Sequence, residues 1–364
     1  MNDGSRSMKR EQKTIQDAGR ITARRKSEHI RICLEERVES RIRPGFDGYR
    51  FRHAAVPELN FQDIGTEAHF LGKKMAVPLL ISSMTGGTDE AGAINLLLAE
   101  AAEERGWAIG LGSMRAAIED AELASTFRIR QAAPSIPVLA NVGAVQLNYG
   151  FGVDECREIV ELAEADGLVL HLNSMQEIFQ PEGDTNFKGL LERIEALCVK
   201  LEVPVGVKEV GWGIDGANAV RLAEAGAAFI DVAGAGGTSW SQVEKHRSAD
   251  SVRREAADAF ADWGIPTAEC IGEVRSRLQD VTVIASGGLR SGVDAAKSLA
   301  LGADLAGFGR SLLAGAAVGG REERLEAIHH QLERIEFELK AAMFGIGAAA
   351  LAELQGTDRL VRLS

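Results

Sequence analysis

After residue 75, short apolar and β-branched runs alternate with amphipathic runs rich in Ala and Glu. The apolar runs are Leu79–Ser83, Ala108–Leu111, Val138–Val142, Leu168–Leu172, Val205–Val210, Phe229–Ala233, Val281–Ala285 and Leu305–Phe308. They are continuous rather than alternating, the pattern of strands buried on both faces. Between them the spacing predicts helices over Ala93–Glu104, Asp154–Ala165, Phe187–Val199, Asn218–Ala225 and Val293–Leu301. Asp154, Asp184 and Ser291 stand as candidate N-caps. Eight strand–helix units in about 250 residues predict an α/β fold closed as a (β/α)8 TIM barrel. A doubly wound open sheet is the competitor, but no G-x-G-x-x-G follows the first strand.

The regular spacing breaks once, between the sixth and seventh runs, where Gly236–Arg247 and the charged run Ser248–Arg254 read as long loops serving a site. Residues 21–75 are expected to form a helix and some extended structure. Glu322–Ala342 reads as a long amphipathic helix that either closes the barrel or packs on a neighbour. Residues 1–20 are polar without an apolar core, so they are expected as a mobile tail and not a secretory signal. Residues 21–364 are expected as one barrel domain that includes an N-terminal lid segment.

Composition narrows the class. The chain is 45% hydrophobic and 26% charged with only 5% aromatic residues, too apolar for disorder. Its longest unbroken apolar stretch, Ala341–Ala352, is too short to cross a bilayer. A net charge of −12 opposes nucleic acid and anionic membranes, so an anionic small substrate needs a local basic site. Cys33, Cys156, Cys198 and Cys270 match no zinc or redox spacing and are expected as free thiols of a cytoplasmic protein. The 40 glycines exceed the usual share of roughly 7% and have no collagen period.

In a barrel enzyme the site lies at the C-terminal strand ends, and the glycines and polar residues gather there. Successive runs end in Ser83-Met84-Thr85-Gly86-Gly87, Gly112-Ser113-Met114-Arg115, Asn141-Val142-Gly143, His171-Leu172-Asn173 and Lys208-Glu209. The last three end in Gly236-Gly237-Thr238, Gly287-Gly288-Leu289-Arg290 and Gly309-Arg310. Glycine lets backbone approach a ligand closely, so a large planar ligand across the mouth is expected. Gly287-Gly288 and Gly309-Arg310 occupy the usual phosphate position of the fold. Lys208 within an apolar strand is costly unless paired. It is read either as a partner of Glu209, as a Schiff-base lysine, or as a cation beside an electron-rich cofactor. Glu177 is read as a general base, a hard-metal ligand or a helix N-terminal acid. Arg25 and His29 are four apart on one helix face and, with Lys26, form a candidate diphosphate clamp or a solvated face.

Together these residues resemble the type 2, flavin-dependent isopentenyl-diphosphate isomerase family. The resemblance rests on Arg-Lys-x-x-His at 25–29, Met-Thr-Gly-Gly at 84–87, Gly-Ser-x-Arg at 112–115, Ala-Asn-x-Gly at 140–143 and His-Leu-Asn-x-x-Gln-Glu at 171–177. It continues through Pro-Glu-Gly-Asp at 181–184, Val-Lys-Glu-Val-Gly at 207–211, Gly-Gly-Thr-Ser at 236–239 and Ala-Ser-Gly-Gly at 285–288, spanning roughly residues 22–350. Met114 departs from the Gln or Gly often found there.

The resemblance implies a TIM barrel binding FMN, with Mg2+, and with NADPH as reductant to keep the flavin reduced. It implies FMN contacts at Ser83, Met84, Thr85, Ser113, Asn141, Lys208 and Thr238, and phosphate contacts at Gly287, Gly288, Arg290, Gly309 and Arg310. The substrate diphosphate falls to Arg25, Lys26, His29 and Arg115. Asn173 and Gln176 lie close to substrate, His171 and Lys208 join them as catalytic candidates, and Glu177 holds Mg2+. The implied reaction interconverts isopentenyl and dimethylallyl diphosphate, with reduced FMN as acid and base because an alkene is too weak a base for an ordinary carboxylic acid. Homo-oligomers, tetramers or octamers, are implied as well.

Three rivals are set beside it. An FMN-dependent oxidoreductase of the hydroxy-acid oxidase type needs a late histidine base, for which His246 is the nearby candidate. A flavin-free aldolase would use Lys208. A non-catalytic flavin- or phosphate-binding barrel is disfavoured by the density of polar rim residues.

Overall fold

The structure, a computed structural model, describes residues 25–363. The tail expected over residues 1–20 lies outside them. The strands are β1 (Tyr49–Phe51), β2 (Ala68–Phe70), β3 (Lys73–Met75), β4 (Leu79–Ile81), β5 (Ala108–Gly110), β6 (Val138–Gly143), β7 (Gly167–Leu172), β8 (Val205–Glu209), β9 (Phe229–Asp231), β10 (Thr282–Ala285), β11 (Leu305–Phe308) and β12 (Leu360–Arg362). Strands β4 to β11 are parallel neighbours in chain order. The register Ala306↔Leu79, Gly307↔Leu80, Phe308↔Ile81 joins β11 back to β4 and closes the barrel. All eight expected strands are present.

The helices are α1 (residues 25–35), α2 (Asp89–Arg105), α3 (Arg115–Glu119), α4 (Val153–Ala163), α5 (Ser174–Phe179), α6 (Leu190–Lys200), α7 (Gly216–Glu224), α8 (Trp240–Arg247), α9 (Ser251–Ala259), α10 (Thr267–Arg277), α11 (Gly292–Ala300), α12 (Arg310–Ala317), α13 (Arg321–Ile346) and α14 (Leu351–Gln355). Ser291 caps α11 as expected, and Asp294 accepts from the Ser291 amide in return. The other two expected caps are not caps. The α4 cap is Gly152, whose amide donates to Glu155 at 2.7 Å, while Asp154 sits in the first turn facing Arg157. Helix α6 begins at Leu190 after Gly189 in the left-handed region, and Asp184 is drawn away to the rim. The stretch expected as long loops between β9 and β10 is instead built from α8, α9 and α10.

The barrel interior is filled from below. The hairpin β2–β3 lays Phe70 and Met75 against Leu80, Ala108, Leu139, Val169, Phe229, Ile284 and Leu305. Phe70 meets Phe229 edge-on with centroids 5.2 Å apart. This apolar plug closes one end and leaves the other open. Helix α13 packs along α11, α12 and α2. Its Glu336 accepts from Arg105 at 2.6 and 2.9 Å and from the Trp107 indole at 2.7 Å. The long helix therefore completes the chain's own outer ring. Strands β1 and β12 pair antiparallel, joining the segment before the barrel to the last described residues. The four cysteines are free, and burial pushes Cys33 and Cys198 up to about 11 and Cys156 and Cys270 up to about 12. Among the described residues no helix is long and apolar enough to cross a membrane.

Candidate active site

The open ends of the strands surround one cavity of about 640 Å³. Every residue assigned above to substrate, cofactor, metal or catalysis lines it, from Arg25 on α1 to Arg310 on α12. The rim backbone is shaped for close approach. A Cβ on Gly112 would stand 2.4 Å from the Thr85 carbonyl oxygen, and one on Gly287, at φ +103°, would stand 2.1 Å from that of Gly234. Four buried hydroxyl or amide oxygens that line the cavity, Ser82 Oγ, Thr85 Oγ1, Asn173 Oδ1 and Ser311 Oγ, have no hydrogen-bond partner within the protein. Such atoms are costly unless a ligand or water meets them. At one pole Gly287, Gly288 and Gly309 adjoin Arg290 and Arg310, and α12 opens with its N-terminus there. That combination suits a phosphate.

One layer above the apolar plug, three charged or ionisable groups stand side by side. The register pairs His171 with Lys208 and Lys208 with Asp231. His171 Nδ1 lies 2.7 Å from Asn141 Oδ1, so Nδ1 donates and Nε2 is left as the acceptor. Burial, then the charges of Lys208, Lys26 and Arg25, push His171 down to about 3, so it is neutral near pH 7. Asp231 accepts from Ser286 Oγ at 2.6 Å. Burial raises its carboxyl, and the charge of Lys208 opposes the rise. Lys208 donates to the Glu209 backbone carbonyl at 2.5 Å. The Glu209 carboxylate turns the other way and accepts from the amides of Val210, Gly211, Trp212 and Gly213. The Lys208–Glu209 side-chain pair is thus absent, and Lys208 faces the cavity.

The second wall is α1 laid over α5 and α8. Glu244 on α8 is fully buried. It accepts from His29 Nε2 at 2.9 Å, from Gln176 Nε2 at 3.0 Å and from Arg247 at 2.6 Å. Burial alone would raise the Glu244 carboxyl. The hydrogen bond and charge of His29, the charge of Arg247 and the Gln176 amide outweigh it and hold Glu244 down at about 2. His29 is itself lowered by burial, and its hydrogen bond to Glu244 opposes that fall. Arg247 continues the network to Glu28 and Glu182. Lys26 is buried and donates to the Ser113 carbonyl at 3.3 Å. Burial and the neighbouring Arg25 push it down to about 7, so an anion arriving there would restore its charge.

The Asn173-x-x-Gln176-Glu177 cluster sits on the first turn of α5. Asn173 Nδ2 donates to Glu177 at 2.7 Å, and the Asp184 amide donates to the other carboxylate oxygen at 2.7 Å. Burial raises the Glu177 carboxyl, which disfavours a bare charge there and favours one shared with a cation. Arg115 reaches the cavity but is held by Glu119 and, at 2.7 Å, by Asp184, which also accepts from Gln146. Its charge is therefore already balanced inside the protein.

Sequence reasoning missed Asp231, Glu244, Arg247 and Trp240. Asp231 closes an otherwise apolar strand, and a lone acid at a barrel strand end was the available signal. Glu244 and Arg247, three apart on a helix, carried none, because their partners come from distant segments. Trp240 lines the cavity edge-on to His29. His246, the base required by the oxidase rival, does not line the cavity and lies 4.0 Å from Glu36.

The closed parallel barrel with a glycine-lined, cation-bearing mouth is the architecture of a (β/α)8 enzyme whose site lies at the C-terminal strand ends. A family model described as FMN-dependent dehydrogenase matches residues 158–361. The chain is 52% identical over 337 residues to an isopentenyl-diphosphate delta-isomerase of Oceanobacillus iheyensis, covering 92% of this chain and 95% of that one. It is 50% identical over 343 residues to one of Nostoc sp., covering 94% and 97%. The chain belongs to the isopentenyl-diphosphate delta-isomerase family. Solved structures share the fold at low identity. A mandelate oxidase variant with a monooxide FMN adduct matches at TM-score 0.61 and 19% identity, covering 88% of this chain and 90% of that one. A flavocytochrome b2 variant with benzoylformate matches at TM-score 0.66 and 18% identity, covering 92% and 82%.

Proposed function

We propose that the protein isomerises isopentenyl diphosphate to dimethylallyl diphosphate for isoprenoid biosynthesis, by a 1,3-allylic proton shift that uses reduced FMN. The observation that carries the reading is the meeting of two sites in one cavity. A glycine-shaped cradle with a phosphate pole faces a cationic helix whose Lys26 is depressed to about 7 and wants an anion. Family membership supports it over the oxidase reading, as does the position of His246 outside the cavity.

The unpartnered Thr85 and Ser82 oxygens and the close rim glycines fit a flavin, and we assign Ser83, Met84, Thr85, Ser113, Asn141, Lys208 and Thr238 to it. Gly287, Gly288, Arg290, Gly309 and Arg310 are assigned to its phosphate. When bound and reduced, FMN supplies a proton at its ring and an electron-rich face for the developing cation. Lys208, which lines the cavity between His171 and Asp231 in register, would supply a positive charge to an anionic ring. Neutral His171, with Nδ1 donated to Asn141, offers an acceptor at Nε2 and adds no second positive charge. Arg25, Lys26 and His29 bind the diphosphate and exclude water above it. Gln176 has its Nε2 held by Glu244 and its Oε1 facing Asn173 at 3.4 Å, so it positions substrate and cannot rotate freely. Glu177 fits Mg2+ as one hard carboxylate completed by substrate oxygens. No cluster of three or more acidic, His or Cys side chains exists among the described residues to make a cage alone. We place the enzyme in the cytoplasm as a tetramer or octamer acting on a small molecule, with neither nucleic acid nor membrane as partner.

Purified protein with FMN, Mg2+ and catalytic NADPH is expected to convert isopentenyl diphosphate to dimethylallyl diphosphate. NADPH loss in step with product would overturn the isomerase reading in favour of an oxidoreductase.

A further inference from the structure

The helix over the substrate end of the cavity is also fastened at the opposite end. The segment that follows α1 runs back along the rim. Ser40 N donates to the Gly237 carbonyl at 2.8 Å, Ser239 N donates to the Val38 carbonyl at 2.7 Å, and Glu39 bridges Thr238 in antiparallel fashion. Above this bridge, the Glu39 carboxylate accepts from Arg310 Nη1 at 2.7 Å. Arg310 Nε donates to the carbonyl of Cys33, in the last turns of α1, at 2.8 Å. One guanidinium, on the first residue of α12, thus grips both the helix end and the strand after it. A guanidinium has five N–H groups in a rigid fork. Two are used here, and the others stay available to the phosphate pole that Arg310 lines with Gly287, Gly288 and Arg290. Partial burial would raise the Glu39 carboxyl, but the hydrogen bond and charge of Arg310, with the charge of Arg290, hold it below its ordinary range. Two cations therefore stand ready for two anions, one of them Glu39.

We propose that Glu39 is a positioning residue which, through Arg310, ties residues 25–40 to the phosphate end of the cavity, so that a bound flavin phosphate and a docked substrate lid strengthen each other. The inference rests on the flavin reading of the site. A phosphate on the free face of Arg310 fixes the fork. A fixed fork presents Nε and Nη1 to Cys33 and Glu39 with less ordering left to lose. The coupling is reciprocal, so whatever FMN gives the lid, the lid returns to FMN.

Hydrogen exchange of residues 25–40 tests this, measured on the full chain alone, with FMN, and with riboflavin, which lacks the phosphate. FMN is expected to slow exchange there more than saturating riboflavin does. In Glu39→Gln that difference shrinks, and the Kd for FMN rises about fourfold, the scale of one partly exposed ion pair, while the Kd for riboflavin stays put. Arg310→Lys, which keeps the charge but loses the Nε donor to Cys33, abolishes the difference. A purely structural Glu39 would loosen the segment equally under both flavins. Equal protection by both flavins in the unaltered protein, or an undiminished difference in Glu39→Gln, overturns the proposal. Failure of either flavin to bind at all, read by flavin fluorescence, overturns the flavin reading itself and this coupling with it.

Discussion

Replacing Glu244 by Gln is expected to cost stability and activity together, with a pH signature of its own. The carboxylate accepts from three side chains on two other segments and its own helix, and the amide can satisfy His29 and Gln176 or Arg247, but not all three. The side chain of Arg247 is only 7% exposed, so it loses its closest partner in a place where water replaces little. The carboxyl stands at about 2 against an ordinary 4.5, a gap worth about 3 kcal/mol at neutral pH. That agrees in size with breaking a buried ion pair. For a chain this long it lowers Tm by about 4 °C. Between 4.5 and 2 the folded carboxyl binds fewer protons than the unfolded one, so this stability is complete above about pH 5 and drains away as pH falls toward 2. Calorimetry of both proteins should therefore show a Tm gap at pH 7 that narrows to about half near pH 3. A neutral acceptor holds Gln176 and His29 more weakly than the carboxylate does, and this should cut kcat/KM about tenfold as well. A gap of the same width at pH 7 and pH 3, or no gap at all, would refute the account of Glu244 as a buried, ionised hub.

Lys208→Met removes the charge between His171 and Asp231 and should lower turnover by about 10²-fold. The His171 resonance should then titrate above its present value of about 3, and an unmoved titration would separate Lys208 from that layer. Glu177→Gln should raise the Mg2+ concentration needed for half-maximal rate, and unchanged metal dependence would take Glu177 out of the metal role. Gly287→Ala drives a methyl toward the Gly234 carbonyl at a left-handed backbone position. It should cost about 3 kcal/mol and release flavin on gel filtration. Retention of bound flavin would show that the rim is less tightly fitted than its distances state.

The eight strands were legible because each is buried on both faces, so apolar continuity survives in the sequence without knowledge of the partners. The rim was legible for the same reason, since glycines and polar residues following such runs have one place to go. Helix α8 was read as a loop because most of its buried positions are polar, and α9 because the residue it buries is a lone alanine, Ala257, in a charged run. Ser241, Gln242 and Glu244 are all buried on α8, and a reading that sends polar residues to water has no means of placing them. Asp184 looked like a helix cap and is instead a rim acid, because the pull of Arg115 and Gln146 across the cavity exceeds a local preference worth about 1 kcal/mol. Arg25, Lys26 and His29 were legible only as a cluster. Their shared direction, toward the mouth, depends on Glu244, which lies 215 residues beyond His29.

The joining of β1 to β12 has a consequence for how the molecule is made. The clasp pairs β1 with Leu360–Arg362, so β1 waits for its partner until the whole barrel between them has been made. At ordinary synthesis rates Glu244 itself emerges roughly 10–40 s after His29. Helix α1 is thus made well before the helix that holds it, and its anchoring through His29 is a late contact. Through that interval its apolar positions, Ile30 and Ile32, have no barrel to cover them. Arg25 and Lys26 set charge beside those apolar positions. Of the residues assigned to diphosphate binding, Arg25 and Lys26 therefore also supply the charge that flanks Ile30 and Ile32 until Glu244 has been made.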